Sequence, residues 1–125
     1  MASKYKNKKC KFDNGNEILQ FDSQAERARY VDLFDRQTRG LISNLRCQPR
    51  FLLTENFTRN GCKFQAEFYI ADFEYREDYQ TVIEDVKGVE TAVYKSKRKR
   101  FLKLNPDLIF RELRLIGHKW EVKEL

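Results

Sequence analysis

FYIADFEYREDYQTVIEDVKG, residues 68–88, reads as two strands joined by a polar turn. Side chains alternate along a strand, so Phe68, Ile70 and Asp72 are expected on one face of the first and Ile83, Asp85 and Lys87 on one face of the second. Each strand then carries charge where an apolar residue is due. A turn centred on Asp78 and Tyr79 puts Asp72 and Asp85 at equal distances from its midpoint, and antiparallel pairing sets them opposite each other. Their Cβ atoms would lie ~4.5–5.5 Å apart, a separation at which like charges destabilise a sheet. A divalent cation held between them removes that penalty.

Two carboxylates with a lysine two residues on are the parts of a hard metal site. Mg²⁺ takes one or two carboxylates, keeps several waters and completes its shell with substrate phosphate oxygens. Lys87, on the face of Asp85, would reach the scissile phosphate or the attacking water and bring positive charge to the transition state. The competing reading makes Asp72 and Asp85 solvated residues with Lys87 as a surface counter-ion. The run of Phe68, Tyr69, Ile70, Phe73 and Tyr75 around Asp72 opposes it, because it is apolar on both faces and so reads as buried.

These residues resemble a known family. Asp72 followed after a hairpin by Asp85-Val86-Lys87 is similar to the D…(D/E)-x-K signature of the PD-(D/E)XK, restriction-endonuclease-like nuclease superfamily. FDSQAERARY, GLISNLRCQPRFLL, ADFEY and VIEDVKG, in that order, resemble a group of small phage-encoded nucleases within it, over residues 21–104. The likeness departs from the pattern twice: Ala71 stands where the proline of the name is due, and Asp85 replaces the usual glutamate. Glu84 precedes Asp85, and a one-residue shift of register would make Glu84 the ligand instead. Period 2 favours Asp85, because Glu84 and Lys87 would point to opposite faces.

The resemblance implies an α/β domain with an αβββαβ core, a mixed central sheet flanked by helices. It also implies Mg²⁺ or Mn²⁺ held by Asp72, Asp85 and the backbone carbonyl of Val86, with a helix-borne glutamate, here Glu26, joining the site. Ser23 and Glu26 stand at capping-box spacing at the start of a helix to about Gln37, so Glu26 has a second reading as a cap. It also shares a stripe with Tyr30, Leu33 and Gln37, whose apolar middle aims it inward.

The chain of 125 residues suits one domain, with residues 1–20 as a basic arm and small hairpin, 21–115 as the core and 116–125 as an extension. Its net charge of +6 favours a polyanionic partner, DNA in this reading, over an acidic protein surface. No apolar run approaches a spanning helix, and the start, MASKYKNKKCKF, lacks the apolar segment of a signal peptide, so a cytoplasmic location is expected, that of the bacterial host for a phage protein. Cys10, Cys47 and Cys62 are odd in number and widely spaced, and His118 is the sole histidine, which argues against a disulfide framework, a zinc site and a histidine-dependent hydrolase. Reduced, structural thiols and a surface-loop histidine are expected.

Asp13-Asn14-Gly15 marks a hairpin turn behind the lysine-rich arm, from which Lys8 and Lys9 could track a phosphate backbone. Gly40 ends the first helix, residues 41–45 read as a turn, and Pro49 biases Gln48 to an extended conformation before a first sheet strand, ArgPheLeuLeuThr. Gln48 reads as part of that turn. Asn60-Gly61 closes a hairpin into one long strand over residues 64–75. Six basic residues between Lys95 and Lys103 lie on a helix ended by Asn105-Pro106; Tyr94, Phe101, Leu102 and Leu104 anchor it, and Lys95, Arg98 and Lys99 are the expected phosphate contacts. A further strand follows from Asp107 to Leu115, then an edge strand or flap whose Trp120 packs on the core or stacks on a base.

Metal-dependent DNA endonuclease chemistry is the function expected, with branched or single-stranded DNA among its substrates and a homodimer, or two visits, needed to cut both strands. The rival is a non-catalytic nucleic-acid-binding module using the basic helix and arm, whose affinity would fall with salt and ignore Mg²⁺. A third reading, an interaction protein with a positive face for an acidic partner, predicts neither property.

Overall fold

In the computed structural model, which describes residues 9–125, the elements run β1 (Cys10–Asp13), β2 (Ile18–Phe21), α1 (Gln24–Thr38), β3 (Ser43–Cys47), β4 (Arg50–Thr54), β5 (Phe57–Arg59), β6 (Cys62–Phe64), β7 (Glu67–Ile70), β8 (Phe73–Glu77), β9 (Gln80–Val86), α2 (Ala92–Leu104), β10 (Ile109–Ile116) and β11 (Lys119–Glu124). Lys8 lies outside the described residues. Lys9 is exposed just before β1.

The β8–β9 hairpin has the register expected of it. Asp78 and Tyr79 have φ of 52° and 67°, as a two-residue hairpin loop with positive φ at both positions requires. Glu77 therefore faces Gln80, and Phe73 faces Glu84. The hairpin is the middle of a mixed five-stranded sheet of order β11-β10-β9-β8-β3. β9 and β10 are parallel, which requires a crossover, and α2 supplies it. Gly117, with φ 63°, turns β10 into β11. His118 is exposed in that turn.

Several expectations fail between Leu41 and Tyr75. The residues read as a turn include a strand, β3, which pairs with β8 through a bulge between Ser43 and Arg46. Side-chain chemistry on α1 fixes it there: Gln37 Oε1 accepts the Leu45 amide at 2.8 Å. ArgPheLeuLeuThr is β4, yet it pairs with β7 in a separate two-stranded sheet instead of entering the main one. The single strand expected over residues 64–75 is likewise three pieces, because its partner changes. β7 serves β4, β8 serves β3 and β9, and Ala71-Asp72 is the bend between.

Backbone hydrogen bonds hold that bend. The Ala71 amide donates to the Pro49 carbonyl at 3.1 Å, the Asp72 amide to the Glu84 carbonyl at 3.1 Å, and the Gln48 amide to the Asp72 carbonyl at 2.8 Å. Gln48 is not extended as expected; its φ is 52°, and the sharp turn from β3 to β4 aims its amide at Asp72. The bend also changes which residues face inward. Tyr69 and Ala71 are 3% and 1% exposed while Ile70 is 56% exposed, so Ile70 does not share a buried face with Asp72.

α1 starts where Ser23 Oγ accepts the Glu26 amide at 3.1 Å, and it ends before Gly40 at φ 78°. α2 starts at Thr91, whose side chain accepts the Tyr94 amide, and stops at Asn105. One core lies between α1 and the sheet, built by Phe21, Tyr30, Leu33, Phe73, Tyr75, Val82 and Leu113. The other lies under α2 and joins Tyr69, Ala71, Ile83, Tyr94, Phe101 and Phe110. Leu104, expected as an anchor, is 56% exposed. Trp120 packs against the first core and donates Nε1–H to Asp32 at 3.0 Å. Cys10, Cys47 and Cys62 stand on three different elements, and Cys62 is exposed, which does not fit a structural thiol. No helix among the described residues is long and apolar enough to cross a membrane.

Candidate active site

β9 is buried on both faces, and its alternation sends Glu84 and Asp85 to opposite sides of the sheet. Both are inaccessible, at 0% and 1% exposure, but they point to opposite cores. Glu84 takes a bidentate ion pair from Arg29 of α1, both N···O distances 2.7 Å, and a hydrogen bond from the Tyr75 hydroxyl. Its charge is fully compensated. Asp85 faces the α2 side, where the Tyr69 hydroxyl donates to Oδ2 and Lys87 Nζ lies 3.0 Å from Oδ1. Burial and the neighbouring Asp85 keep the Tyr69 hydroxyl protonated far above its ordinary range, so it remains a donor.

Asp72 reaches the same place from the bend. Its Oδ2 accepts the Val86 amide at 2.7 Å, and its carboxyl comes within hydrogen-bonding reach of Asp85. Burial, then the charge of Asp85, then that of Glu26 push the Asp72 carboxyl up to about 9. Glu26 is held near the N-terminus of α1, its carboxylate bonded by backbone at Asp22, and burial raises its proton affinity, with Asp22 and Asp85 adding to the effect. Glu26 is therefore placed at the site while Ser23 caps its amide. Lys87 is the nearby cation; its side chain is 23% exposed and its Nζ lies 4.0 Å from the centre of the Tyr94 ring.

A recess of about 160 Å³ opens beside these groups, lined by Glu26, Asp72, Gln48, Cys47, Phe21 and Phe73. Gln48 belongs to this wall as well as to the turn. Its positive φ and the Asp72 carbonyl it binds have no signature in a sequence where proline argues for an extended residue. Tyr69 was also hidden, because period 2 counted from Asp72 put it on the wrong face.

Among the described residues, no three His, Cys, Asp or Glu side chains meet as a ready-made metal cluster. The oxygen ligands present are the carboxylates of Asp72 and Asp85, with Glu26 beside the same recess as Asp72 and the Val86 amide tied to Asp72. This is a hard, oxygen-only set with the one or two carboxylates that Mg²⁺ uses, and the raised proton affinity of Asp72 follows from burial and from the charges of Asp85 and Glu26 beside it.

The basic helix divides in two. Lys95 and Lys99 are exposed. Arg98 turns inward, over the Tyr94 ring at 5.5 Å, and pairs with Glu112 and Glu90. Arg98 is thus a strut of the fold and not the free phosphate contact expected. The acidic residues of the hairpin divide in the same way. Glu74 is bound by Arg46, Glu77 by Arg36 and Arg111, Glu84 by Arg29, and Glu90 by Arg98 and Arg114, while Asp85 has Lys87 and Asp72 has the Val86 amide.

Comparison with known proteins adds the following. No curated protein matches the chain. A solved structure described as the crystal structure of SSO0001 is similar at 12% identity and a TM-score of 0.46, over 78% of this chain; the chain spans about half the length of that one, 48%. Residues 2–125 match a family described as "Protein of unknown function (DUF1064)". The chain, matched over almost its whole length, belongs to that DUF1064 family.

Proposed function

We propose that the protein is a metal-dependent DNA endonuclease of the PD-(D/E)XK type. The observation that carries this reading is the convergence of a fully buried Asp85 and a partly buried Asp72, close enough for each charge to act on the other, with Lys87 Nζ 3.0 Å from Asp85. Like charges are not buried together without a compensating cation or a proton. The elements of the main sheet support the same reading, since α1, β3, β8, β9, α2 and β10 follow one another in an αβββαβ order once the β4–β7 arm is set aside.

Asp72 and Asp85 would hold Mg²⁺ or Mn²⁺, with the Val86 carbonyl as a further donor and Glu26 behind them. When bound, the cation supplies Lewis acidity toward the phosphodiester and its attacking water. Lys87 then exchanges its ion pair with Asp85 for a phosphate oxygen or the water, and Tyr69 fixes the Asp85 carboxylate by its hydroxyl. Glu26 and Gln48 border the recess through which water reaches Asp72. Lys95 and Lys99, and Lys9 from the arm, would hold the DNA backbone without reading its sequence.

One observation favours the non-catalytic binding module instead: both Asp85 oxygens already have partners, Tyr69 and Lys87. Cleavage of labelled duplex, single-stranded and branched DNA in Mg²⁺, Mn²⁺ or EDTA separates the two. Metal-dependent cutting lost in Asp85→Ala and Lys87→Ala, with DNA binding retained, is the expected result. Salt-sensitive binding with no cutting of any substrate would leave the binding module.

A further inference from the structure

β4 and β7 form a two-stranded stem, and β5 and β6 continue it into a second short hairpin. Asn60 and Gly61, at φ 51° and 76°, form its tip. Every residue from Glu55 to Gln65 is exposed, and none belongs to either core. Two phenylalanines nevertheless face each other across this hairpin. Phe57 and Phe64 are paired in register, with ring centroids 4.8 Å apart and planes only 13° from parallel, and they are 50% and 48% exposed. They flank an open hollow of about 290 Å³ that also takes in Asn56, Lys63 and Gln65.

The chemistry of this hollow is specific. Aromatic faces meet the flat faces of nucleobases and stacking is tolerant of sequence, Arg59 alternates onto the same face of the ribbon as Phe57 and Phe64, and Lys63, on the other face, borders the hollow with the Asn56 and Gln65 amides, which can donate to and accept from base edges. Between Asn56 and Ala66 there is no acidic residue. Base-paired DNA offers its stacked bases only at an end, a gap or a branch, so the matching ligand is unpaired DNA. Phe64 is eight residues from Asp72 in sequence, and at about 3.3 Å per residue their Cα atoms lie no more than about 26 Å apart. At about 3.4 Å per step of a strand, this is within about eight nucleotides.

We infer that the β5–β6 hairpin is a nucleobase-stacking platform, on which Phe57 and Phe64 hold unpaired DNA bases while Lys63 and Arg59 hold the backbone. The inference deepens the nuclease reading and rests on it for its substrate class: DNA with a single-stranded segment beside the point of cutting. The hairpin selects that segment, and the carboxylates act on it.

The test measures binding apart from cleavage. A labelled single-stranded oligonucleotide of about 20 nucleotides, longer than the upper end of common site sizes, and a blunt duplex are titrated by anisotropy in EDTA with the full chain, Phe57→Ala/Phe64→Ala and Phe57→Trp/Phe64→Trp. Removal of both rings is expected to weaken single-strand binding about 10- to 100-fold, with duplex binding changed less than about threefold and circular dichroism unchanged. The tryptophan pair should restore affinity, and its fluorescence should be quenched by the oligonucleotide. Unchanged single-strand affinity in the alanine pair overturns the inference. A wild-type dimer that the alanine pair dissociates, with DNA affinity unaffected, also overturns it and makes the hairpin an interface between copies. Loss of cutting in Asp85→Ala with ring-dependent binding intact upholds both readings. Ring-dependent binding without any cutting by the wild type upholds the platform and removes the nuclease.

Discussion

Glu84 and Asp85 are consecutive residues on the same strand, equally buried, and their surroundings could hardly differ more. Glu84 meets an arginine fork and a tyrosine hydroxyl, and its charge is answered group for group. Asp85 meets another carboxyl, a tyrosine hydroxyl and one lysine. A fold that needs only stability solves buried charge as it does at Glu84. Two carboxyls brought near each other with one lysine are the arrangement we propose takes a cation, and the two faces of β9 can be tested against each other.

The largest effect is expected on the Glu84 face. Glu84→Gln leaves the Arg29 guanidinium buried without its counter-charge and should cost about 3–5 kcal/mol in stability, read from the midpoint of urea unfolding. Cutting per folded molecule should stay close to that of the wild type. Asp85→Asn reverses this pattern. It should lower the rate of cleavage at least about a hundred- to thousandfold while the unfolding midpoint falls less than in Glu84→Gln, because the partner left behind, Lys87, is 23% exposed where Arg29 is 10% exposed. Equal losses of stability in the two variants would break the comparison.

The pH dependence separates the faces further. Asp72 binds its proton more tightly in the folded chain, up to about 9, than its ordinary value of 3.8. The folded state therefore holds the proton through the window between these values, and without metal the Asp72 contribution to stability is lost as pH rises across it. Asp72→Asn should flatten the slope of thermal stability between pH 5 and pH 9 in EDTA. Mg²⁺ at about a hundred times its Kd at pH 8 should add about 2.7 kcal/mol to the wild type there, less at pH 6 at the same concentration, and nothing to Asp72→Asn.

The smallest effects belong to the basic helix. Lys95→Ala and Lys99→Ala should each reduce the slope of log affinity against log salt by about 1 without moving the unfolding midpoint. Arg98→Ala should leave that slope alone and lower stability, since its partners Glu112 and Glu90 lie inside the protein.

How much of this was readable follows from the range of the interactions. The Asp78–Tyr79 turn, the facing of Asp72 and Asp85, the cap at Ser23 and the stop at Asn105-Pro106 depend on residues near in sequence, and alternation or capping chemistry records them. The bend at Asp72 does not. Its amide is taken by Glu84, its carbonyl by Gln48, and the neighbouring Ala71 amide by Pro49, so strand propensity saw one strand where partners change between β7 and β8. The turn assigned to residues 41–45 failed for the same reason, because Gln37 of α1 holds Leu45 in β3. Arg98 carried no mark to distinguish it from Lys95 and Lys99. Only the position of Glu112 on β10 draws it inward.

The pairing of Asp72 with Asp85 around a cation is tested most directly by crystals of the wild type soaked in Mn²⁺ and measured at the manganese absorption edge. The anomalous peak should lie between the two carboxylates, with oxygen distances of about 2.1 Å and Lys87 Nζ drawn off Asp85. A map with no peak there, Lys87 still paired to Asp85 and the Asp72 carboxyl still against it, would contradict the metal site and leave the contact between the two carboxyls as a protonated element of the fold.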